Sequence, residues 1–375
     1  MKILSLQENL KQGLFNVGHI ANKNINLPIL NNILLKTENG NIKMVTTNLE
    51  IGISCLVRGK IEKEGSLTVD AKVISDCINL LPNKKVTLEQ KENNLTINCD
   101  NYKAKIRGLS AEDFPLIPAV DRKIFYSAAV EDFKQAIAQV VYAVALSESR
   151  LELSGVLFSF TNSRLTLTAT DSYRLAEKKI NLKTNSEANK KIIIPARTLQ
   201  ELVRILSAGP VEAITETNNE IKFFLSDNQI LFTYGLTELV SRLIEGQYPD
   251  YEQIIPTTSQ TSVLTDKAEL IRAVKMASLF SKTGINDINL DFPAGKSQVV
   301  VSAISGQTGE NVTNLAAKVQ GSDNSIVVNY RYLLDGLNSI SGETVKIEII
   351  DSNTPCILKP EKSDDYLYII MPIKQ

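Results

Sequence analysis

The first fifty residues of this chain are similar to a second segment that begins 123 positions later. The segment 27–50 lies without a gap over 150–173, which places Asn48 on Asp171. An internal repeat constrains the architecture before any local pattern does, and this period is longer than that of a solenoid unit. Each copy is therefore expected to be a whole domain.

The length of 375 residues favours two to three domains, and the repeat favours three. Proline-containing segments at 113–123 and 247–260 have the composition of linkers. The predicted domains are residues 1–120, 124–250 and 258–375.

Each copy divides into two similar half-units, each a strand, an amphipathic helix and a hairpin. Alternating apolar residues on either side of Asn162 predict one such hairpin, with its turn at Asn162-Ser163. Six such β-α-β-β half-units predict an α+β fold of antiparallel sheets covered on one face by helices. The predicted helices are 7–23, 72–81, 131–146, 197–206, 266–282 and 331–340.

In each second half-unit, one residue lies at the junction between the strand and the helix. When the three copies are aligned, these residues are Asp70, Pro195 and Asn329. Asp and Asn suit a helix N-cap, and Pro suits the first helical turn. An acid recurs six residues later in every copy: Asp76, Glu201 and Asp335.

Composition is that of an ordinary globular protein, with 43% apolar and 22% charged residues. No apolar run approaches a membrane span, and residues 1–14 have no apolar leader. The four cysteines are scattered without a CxxC pair, which indicates reduced thiols in a cytoplasmic protein. Because there is no apolar span, no membrane contact is predicted. The net charge of −1 argues against a protein that simply coats nucleic acid.

No constellation for catalysis is present. The sequence has no GxxxxGK(S/T) loop, HExxH pair, GxSxG elbow or His/Cys cluster, so no catalytic residue, metal or cofactor is predicted. Asp171 has the appearance of a catalytic acid, yet its repeat partner is Asn48, which favours a turn whose side chain accepts backbone hydrogen bonds. The alternative is an enzyme on this scaffold that uses Asp171, Tyr173 and Arg174.

Four segments together resemble the bacterial sliding clamp family, the beta subunit of DNA polymerase III. They are 27–35 with 46–53, 168–176, 241–256 and 368–375. The resemblance extends over essentially the whole chain. It implies a head-to-tail homodimer that closes into a ring, with six similar domains around duplex DNA, helices lining the hole and sheets forming the rim.

The resemblance also implies a non-catalytic processivity factor that tethers the catalytic subunit of the replicative polymerase. Further implied partners are a clamp loader and other proteins with a clamp-binding motif. A ring linked topologically to DNA needs few phosphate contacts, which fits the nearly neutral chain. A monomeric adaptor that keeps the partner site but not the ring is a second alternative.

In this family a peptide-binding groove lies between the middle and last domains. The matching residues are Leu153, Thr170, Ser172, Tyr173, Arg174, Leu175, Pro249, Ile254, Asn329, Tyr332, Ile369, Met371, Pro372 and Ile373. Two departures affect peptide preference: Ser172-Tyr173 stands where the family usually has Gly-His, and the chain ends in Lys374-Gln375. Leu153 and Leu175 also fit ordinary core positions.

For the ring interface, the family pairs an edge strand of the first domain with the last domain of a second copy. The matching candidates are Lys103, Lys105, Arg107, Leu279, Phe280 and Glu310. Alternating lysines equally suit an unpaired edge protected from aggregation. Candidates for DNA contact are Lys23, Asn24, Lys72, Arg150, Arg197 and Arg204, each of which singly also fits a solvated surface charge.

Overall fold

The computed structural model describes residues 1–21, 26–122, 125–146, 149–209 and 219–374, with the side chains of 185–188 left aside. The chain forms two compact units. Unit 1 comprises Met1–Lys134, Leu182–Asn185 and Arg197–Leu243, and unit 2 comprises Gln135–Asn181, Ser186–Ala196 and Ile244–Gln375.

The elements follow one another in the order that the repeat predicts. In the first repeat they are β1 Lys2–Leu6, α1 Gln7–Gly18, β2 Asn32–Glu38, β3 Asn41–Thr47, β4 Ile51–Val57, β5 Lys60–Lys63, β6 Ser66–Asp70, α2 Ala71–Leu80, β7 Lys85–Lys91, β8 Asn94–Cys99 and β9 Tyr102–Leu109. In the middle repeat they are β10 Phe125–Ala129, α3 Val130–Val140, β11 Gly155–Thr170, β12 Arg174–Pro195, α4 Ala196–Ser207, β13 Glu220–Leu225, β14 Gln229–Tyr234 and β15 Thr237–Arg242. In the last repeat they are β16 Thr261–Asp266, α5 Lys267–Ser278, β17 Asp287–Phe292, β18 Gln298–Ser305, β19 Gly309–Gly321, β20 Asn324–Asn329, α6 Tyr330–Ser339, β21 Thr344–Ile349, β22 Cys356–Pro360 and β23 Tyr366–Ile370.

Unit 1 is built on a thirteen-stranded antiparallel sheet with strand order β10-β13-β14-β15-β4-β3-β2-β6-β9-β8-β7-β1-β5. Helix α1 buries its apolar stripe of Leu10, Leu14 and Val17. Gly13 on the same helix allows a close approach to β4, since an added methyl group would lie 2.6 Å from Val57 Cγ2. The core of unit 1 therefore lies between the helices and one face of the sheet.

Unit 2 is built on a ten-stranded antiparallel sheet with strand order β11-β12-β23-β22-β21-β16-β19-β18-β17-β20. Helix α5 buries Leu270, Ala273, Val274 and Ala277. Helix α6 buries Leu333, Gly336 and Leu337. Helices on one face of an antiparallel sheet again enclose the core, as the α+β prediction requires.

The backbone itself repeats at a spacing of 123 residues. Asn39 and Asn162 both have left-handed φ angles, 50° and 52°, and so do Leu49 and Ser172, at 76° and 78°. Non-glycine residues seldom adopt this conformation. The coincidence confirms the predicted alignment of the first two copies. Asn162 lies at a register irregularity within β11, which is a single strand where the sequence predicts two strands joined by a turn.

The predicted helix starts are confirmed to within about two residues, and two of the caps are as expected. The side chain of Asp70 accepts from the N–H of Val73 at 2.8 Å, and that of Asn329 accepts from Arg331 at 2.9 Å. Pro195 instead ends β12, immediately before α4. Three predicted helices are shorter than expected, with α1 ending at Gly18, α3 at Val140 and α5 at Ser278. The first strand of one predicted hairpin, 212–216, lies outside the described residues.

Two β-ladders join neighbouring repeats. In unit 1, β15 of the middle repeat pairs with β4 of the first, and in unit 2, β23 of the last repeat pairs with β12 of the middle one. The middle repeat is consequently shared between the two compact units. Neither ladder could be read from local sequence pattern.

Candidate functional site

A tight turn at residues 170–174 organises the candidate groove in unit 2. The hydroxyl of Thr170 donates to the carbonyl of Arg174 at 2.6 Å and accepts from the N–H of Ser172 at 3.1 Å. The carboxylate of Asp171 accepts from the N–H groups of Tyr173 and Arg174, each at 3.0 Å. The turn holds Ser172 in its left-handed conformation and presents Tyr173 to solvent, with 63% of the residue exposed.

The same turn is present in the first repeat. Asn48 Oδ1 accepts from the N–H groups of Glu50 and Ile51, and the Thr47 hydroxyl donates to the carbonyl of Ile51. The side-chain amide of Asn48 therefore accepts the same pair of backbone hydrogen bonds as the carboxylate of Asp171, which lies 123 residues later. The predicted structural role of Asp171 is confirmed, and the arrangement gives the enzyme alternative no support.

Arg174 is the centre of a polar network beneath this turn. Its guanidinium donates to Asp171 Oδ2 at 3.0 Å, to the carbonyl of Tyr142 at 3.0 Å and to the carboxylate of Asp335. It lies 4.6 Å from the ring centroid of Tyr332, a cation–π arrangement. Arg174 thus ties the turn to α6 and to the segment after α3.

Burial and neighbouring groups set the protonation states of this network. Burial opposes the charged form of Arg174, but Tyr368, Asp335 and Asp171 raise its pKa above the ordinary value. Burial raises the pKa of Tyr142 to about 12. At neutral pH the network therefore contains a charged guanidinium beside the neutral phenol of Tyr142.

An apolar cluster forms the floor beside the turn. Its buried members are Leu153, Leu157, Leu175, Ile193, Tyr248, Tyr251, Ile357, Leu367 and Ile369, with Ala145, Ile244 and Ile255 packed against them. Tyr251 donates to Glu177 Oε2 at 2.7 Å, and Tyr248 donates to the carbonyl of Thr168 at 3.4 Å. These two hydrogen bonds anchor the segment after β15 to the sheet.

The C-terminal strand and the residues after it border the floor. The N–H of Met371 donates to the carbonyl of Tyr173 at 2.9 Å, and that of Ile373 donates to Val327 at 2.8 Å. The rings of Tyr173 and Tyr332 stack with their centroids 6.4 Å apart and an interplanar angle of 21°. Met371, Pro372 and Ile373 remain half-buried, so their side chains form an apolar margin that is partly open to solvent.

The structure brings the predicted groove residues together in one part of unit 2, in different roles. Leu153, Leu175 and Ile369 are fully buried and belong to the floor, in keeping with the core reading. Pro249 is half-buried and Ile254 is 37% exposed. Asn329 caps α6, and Tyr332 stacks on Tyr173.

Sequence reasoning missed several residues of the site. Tyr142, Tyr248, Tyr251 and Asp335 all contribute to it. The recurring acid of the second half-units was a signal for Asp335, since its counterpart Glu201 is also tied to an arginine, Arg204. Tyr248 and Tyr251 lay in a segment that was identified as a linker and a family motif without a role for either ring, and Tyr142 lay in a predicted helix.

The candidates for DNA contact differ in whether their side chains pair with other residues. Lys72, Arg150 and Arg197 are exposed. Arg150 also pairs with Glu152 at 3.2 Å and donates to Ser172 Oγ at 3.2 Å. Lys23 and Asn24 lie outside the described residues.

Arg204 makes hydrogen bonds within unit 1 that were not predicted from the sequence. It donates to Glu201 Oε2 at 2.9 Å and to the carbonyls of Phe15 and Asn16 at 2.7 and 2.9 Å. These acceptors satisfy its guanidinium and close the C-terminal end of α1. Arg204 therefore contributes to the packing of unit 1.

The candidates for the ring interface lie on exposed surfaces. Lys103, Lys105 and Arg107 are exposed along β9, and Glu310 is exposed on β19. Leu279, just after α5, is 67% exposed. Within the described part of the chain, no cluster of three metal-ligating side chains occurs, and no helix there is long and apolar enough to cross a membrane.

Three family models together match most of the chain. They are those of the N-terminal, central and C-terminal domains of the DNA polymerase III beta subunit, at residues 1–118, 128–250 and 252–374. The order and number of these matches agree with the threefold repeat.

Curated relatives and solved structures agree with the family models. The beta sliding clamps of Staphylococcus epidermidis and Staphylococcus aureus are 31% and 32% identical over 358 residues, covering 93% of this chain and 92% of each relative. The DNA polymerase III subunit beta of Pseudomonas aeruginosa has a TM-score of 0.93 at 26% identity, with 100% of both chains covered. The Bacillus subtilis sliding clamp shares the fold, with a TM-score of 0.93 at 24% identity and coverage of 100% of this chain and 99% of that one.

The predicted three-domain α+β clamp fold is thus confirmed. The relatives are named as beta sliding clamps or as the beta subunit of DNA polymerase III, and this likeness supports a non-catalytic DNA polymerase processivity factor. The chain belongs to the DNA polymerase III beta subunit family, the bacterial sliding clamps.

Proposed function

We propose that this chain forms a homodimeric ring of six similar domains, with boundaries at 1–120, 124–250 and 258–375 in each copy. The ring encircles duplex DNA in the cytoplasm and tethers the replicative polymerase. The clamp loader and other proteins with a clamp-binding motif use the same groove. The observation that carries the proposal is the apolar floor of unit 2, bordered by the half-buried residues that follow β23.

The groove is suited to short peptides that carry Leu or Phe anchors. Its floor is aliphatic and aromatic, and the polarisable side chain of Met371 lines its margin. A preformed cleft of this kind binds a peptide without reordering the protein, which keeps the entropic penalty of binding small. Several partners with similar anchors can therefore share it in turn.

Ser172 and Tyr173 give this chain its own version of the groove. Ser172 keeps the left-handed backbone that glycine adopts most readily, at a φ of 78°. Tyr173 stacks on Tyr332, whose ring lies over the guanidinium of Arg174. The resulting aromatic wall favours a flat, apolar anchor next to the turn over a charged one.

Tethering raises processivity through effective concentration. A polymerase that releases the primer end stays attached to the ring and rebinds before it diffuses away. The ring itself needs only weak contacts with DNA because it is linked topologically. Lys72, Arg150 and Arg197 are exposed candidates for such contacts.

Retention on DNA of different topology tests the ring. Protein loaded on nicked circular DNA is expected to stay through gel filtration and to run off after the circle is cut. Equal loss from circles and linear DNA, or a monomeric mass at micromolar concentration, would contradict the proposal. Retention on both forms alike would instead indicate ordinary binding to the duplex.

A further inference from the structure

We propose that the sheet of the last repeat binds a second stretch of the partner protein, on the face that points away from the helices. This stretch is extended and carries a tyrosine followed by a proline. The inference rests on the proposed function, because the partner is the protein whose anchors occupy the groove. It goes further, since it assigns a surface outside the groove and the chemistry that this surface accepts.

Strand pairing identifies one position on this face in all three repeats. At this position a residue of the first hairpin lies opposite a residue two positions before the aligned junction residue. The three facing pairs are Leu34 with Thr68, Leu157 with Ile193, and Asn289 with Val327. The surfaces around them can therefore be compared directly.

In the first repeat, the linker that follows the repeat lies over this position. Phe114 and Ile117 of the linker line the same space as Leu34 and Val45 of the sheet. Phe114 is only 6% exposed. Ile117 lies so close to the sheet that its Cδ1 would be 2.7 Å from a methyl group added to Gly52. The linker is thus a segment of chain seated on this face.

In the middle repeat, the next linker covers the same position. Tyr248 and Tyr251 pack in one apolar cluster with Leu157 and Ile193. The hydroxyl of Tyr248 donates to the carbonyl of Thr168 at 3.4 Å. Both linkers contain an aromatic residue followed by proline, at 114–115 and 248–249. The chain therefore seats segments of one chemical type on this face twice.

In the last repeat, the corresponding space is a trough of about 570 Å³ among the described residues. Asn289, Ser302 and Val327 line it and are half-buried. Ile304, which is 65% exposed, and Ile373 also line it. The surface that a linker covers in the other two repeats is therefore accessible here.

The trough is more polar than the two covered faces. Asn289 lies opposite Ser302 as Leu34 lies opposite Val45, so an amide and a hydroxyl replace two aliphatic side chains. The hydroxyls of Ser302 and Ser325 make no hydrogen bond to another described residue. A tyrosine suits this surface better than a phenylalanine, because its ring packs on aliphatic groups while its hydroxyl bonds to a polar one.

The trough continues from the margin of the groove. Ile373 belongs to both, and its N–H donates to the carbonyl of Val327 at 2.8 Å. Ile244 makes the same contact with Ile193, at 2.9 Å, just before the linker of the middle repeat covers its face. A partner segment that leaves the groove past Ile373 would follow the path of this linker.

Calorimetry with linked peptides tests the trough. A short peptide with Leu/Phe anchors is compared with longer ones that add, at either end, a Gly/Ser spacer and the sequence of residues 247–251, Gln-Tyr-Pro-Asp-Tyr. The added sequence is expected to tighten binding about tenfold, through its effective concentration at the trough. A control extension with alanine in place of both tyrosines should bind like the short peptide.

A substitution in the trough provides the matched comparison. Ser302→Lys is expected to fill the trough and remove the gain, without changing the affinity for the short peptide. Gln298→Lys should keep the gain, because Gln298 is half-buried on the same strand but does not line the trough. No gain from either extension, or an equal gain in the Ser302→Lys protein, would overturn the proposal.

Disulfide tethering separates the trough from the groove. The added sequence alone, with a terminal cysteine, is exchanged under mildly reducing conditions with a Ser325→Cys protein in a Cys77→Ser background. We expect it to be captured at least about fivefold more than its alanine version. Equal capture of the two would overturn the trough. Failure of the short peptide to bind would instead reject the groove.

Discussion

Asn48 and Asp171 make the same pair of hydrogen bonds, each side-chain oxygen accepting from the backbone N–H groups two and three residues further on. The amide and the carboxylate are interchangeable for this purpose. Only Asp171 adds a charge, which pairs with Arg174 at 3.0 Å.

Asp171→Asn should therefore preserve the turn and cost about 1 kcal/mol of stability through the lost ion pair. Asp171→Ala should cost about 2 kcal/mol more, because two backbone donors lose their acceptor. Urea unfolding measures both. Loss of clamp function in a folded Asp171→Asn protein would instead indicate a chemical role for the carboxylate.

Arg204→Ala should lower the stability of unit 1 by about 2–3 kcal/mol, because the guanidinium donates to Glu201 and to two carbonyls at the end of α1. Arg197→Ala is the control, since Arg197 is exposed on the same helix. Thermal unfolding compares the two. If Arg204→Ala weakened retention on DNA without changing stability, our assignment of this residue to packing would be wrong.

Met371→Ala should weaken the binding of a Leu/Phe-bearing clamp peptide on the order of tenfold, because the margin of the groove loses an apolar side chain. The dimer should be unaffected, since Met371 is not among the candidates for the ring interface. Isothermal titration calorimetry and sedimentation measure the two properties. Unchanged peptide affinity would exclude this margin from the binding site.

The Lys178–Asp365 pair predicts a pH dependence of stability. Burial raises the pKa of Asp365, but Lys178 at 2.6 Å and the hydroxyl of Ser363 hold it below its ordinary value. A lowered folded-state pKa means that the stabilisation is fully present above the unfolded value, near 4, and is lost as the pH falls through the folded value.

Asp365→Asn should accordingly lower the melting temperature at pH 7, and the difference from the parent should shrink as the pH falls below about 4. Asp364→Asn is the control, because its exposed carboxylate is the sequence neighbour. Calorimetric scans across this range test the prediction. A difference that is constant with pH would mean that the ion pair does not contribute.

Gly336→Ala should destabilise unit 2 by about 1–3 kcal/mol. Alanine ordinarily favours a helix over glycine by about 1 kcal/mol, but a methyl group here would lie 2.3 Å from Tyr368 Cδ1. Gly306→Ala, where no atom lies within 4 Å of the added methyl group, should be neutral. A stabilised Gly336→Ala protein would show that the ring of Tyr368 moves aside at little cost.

The sequence predicted what depends on local pattern. The repeat predicted the order of the elements, and junction chemistry predicted the caps at Asp70 and Asn329. The helix ends at Gly18 and Val140 were missed, because apolar spacing continues past both.

The rest depends on contacts between residues far apart in the chain. The pairing of Val240 with Gly52 and the bonds from Arg204 to the end of α1 join segments nearly two hundred residues apart. No local period encodes such partners. The groove was located through family motifs, but the tyrosines of its floor were seen only once the chain was folded.

Because β-ladders cross the boundaries between repeats, we do not expect a single repeat to be stable by itself. In a fragment that ends after β9, β4 would lack its partner strand β15 and would have an unpaired edge. Exposed strand margins recruit one another and aggregate. The three repeats are thus similar in sequence, but we expect that none of them is stable as a separate protein.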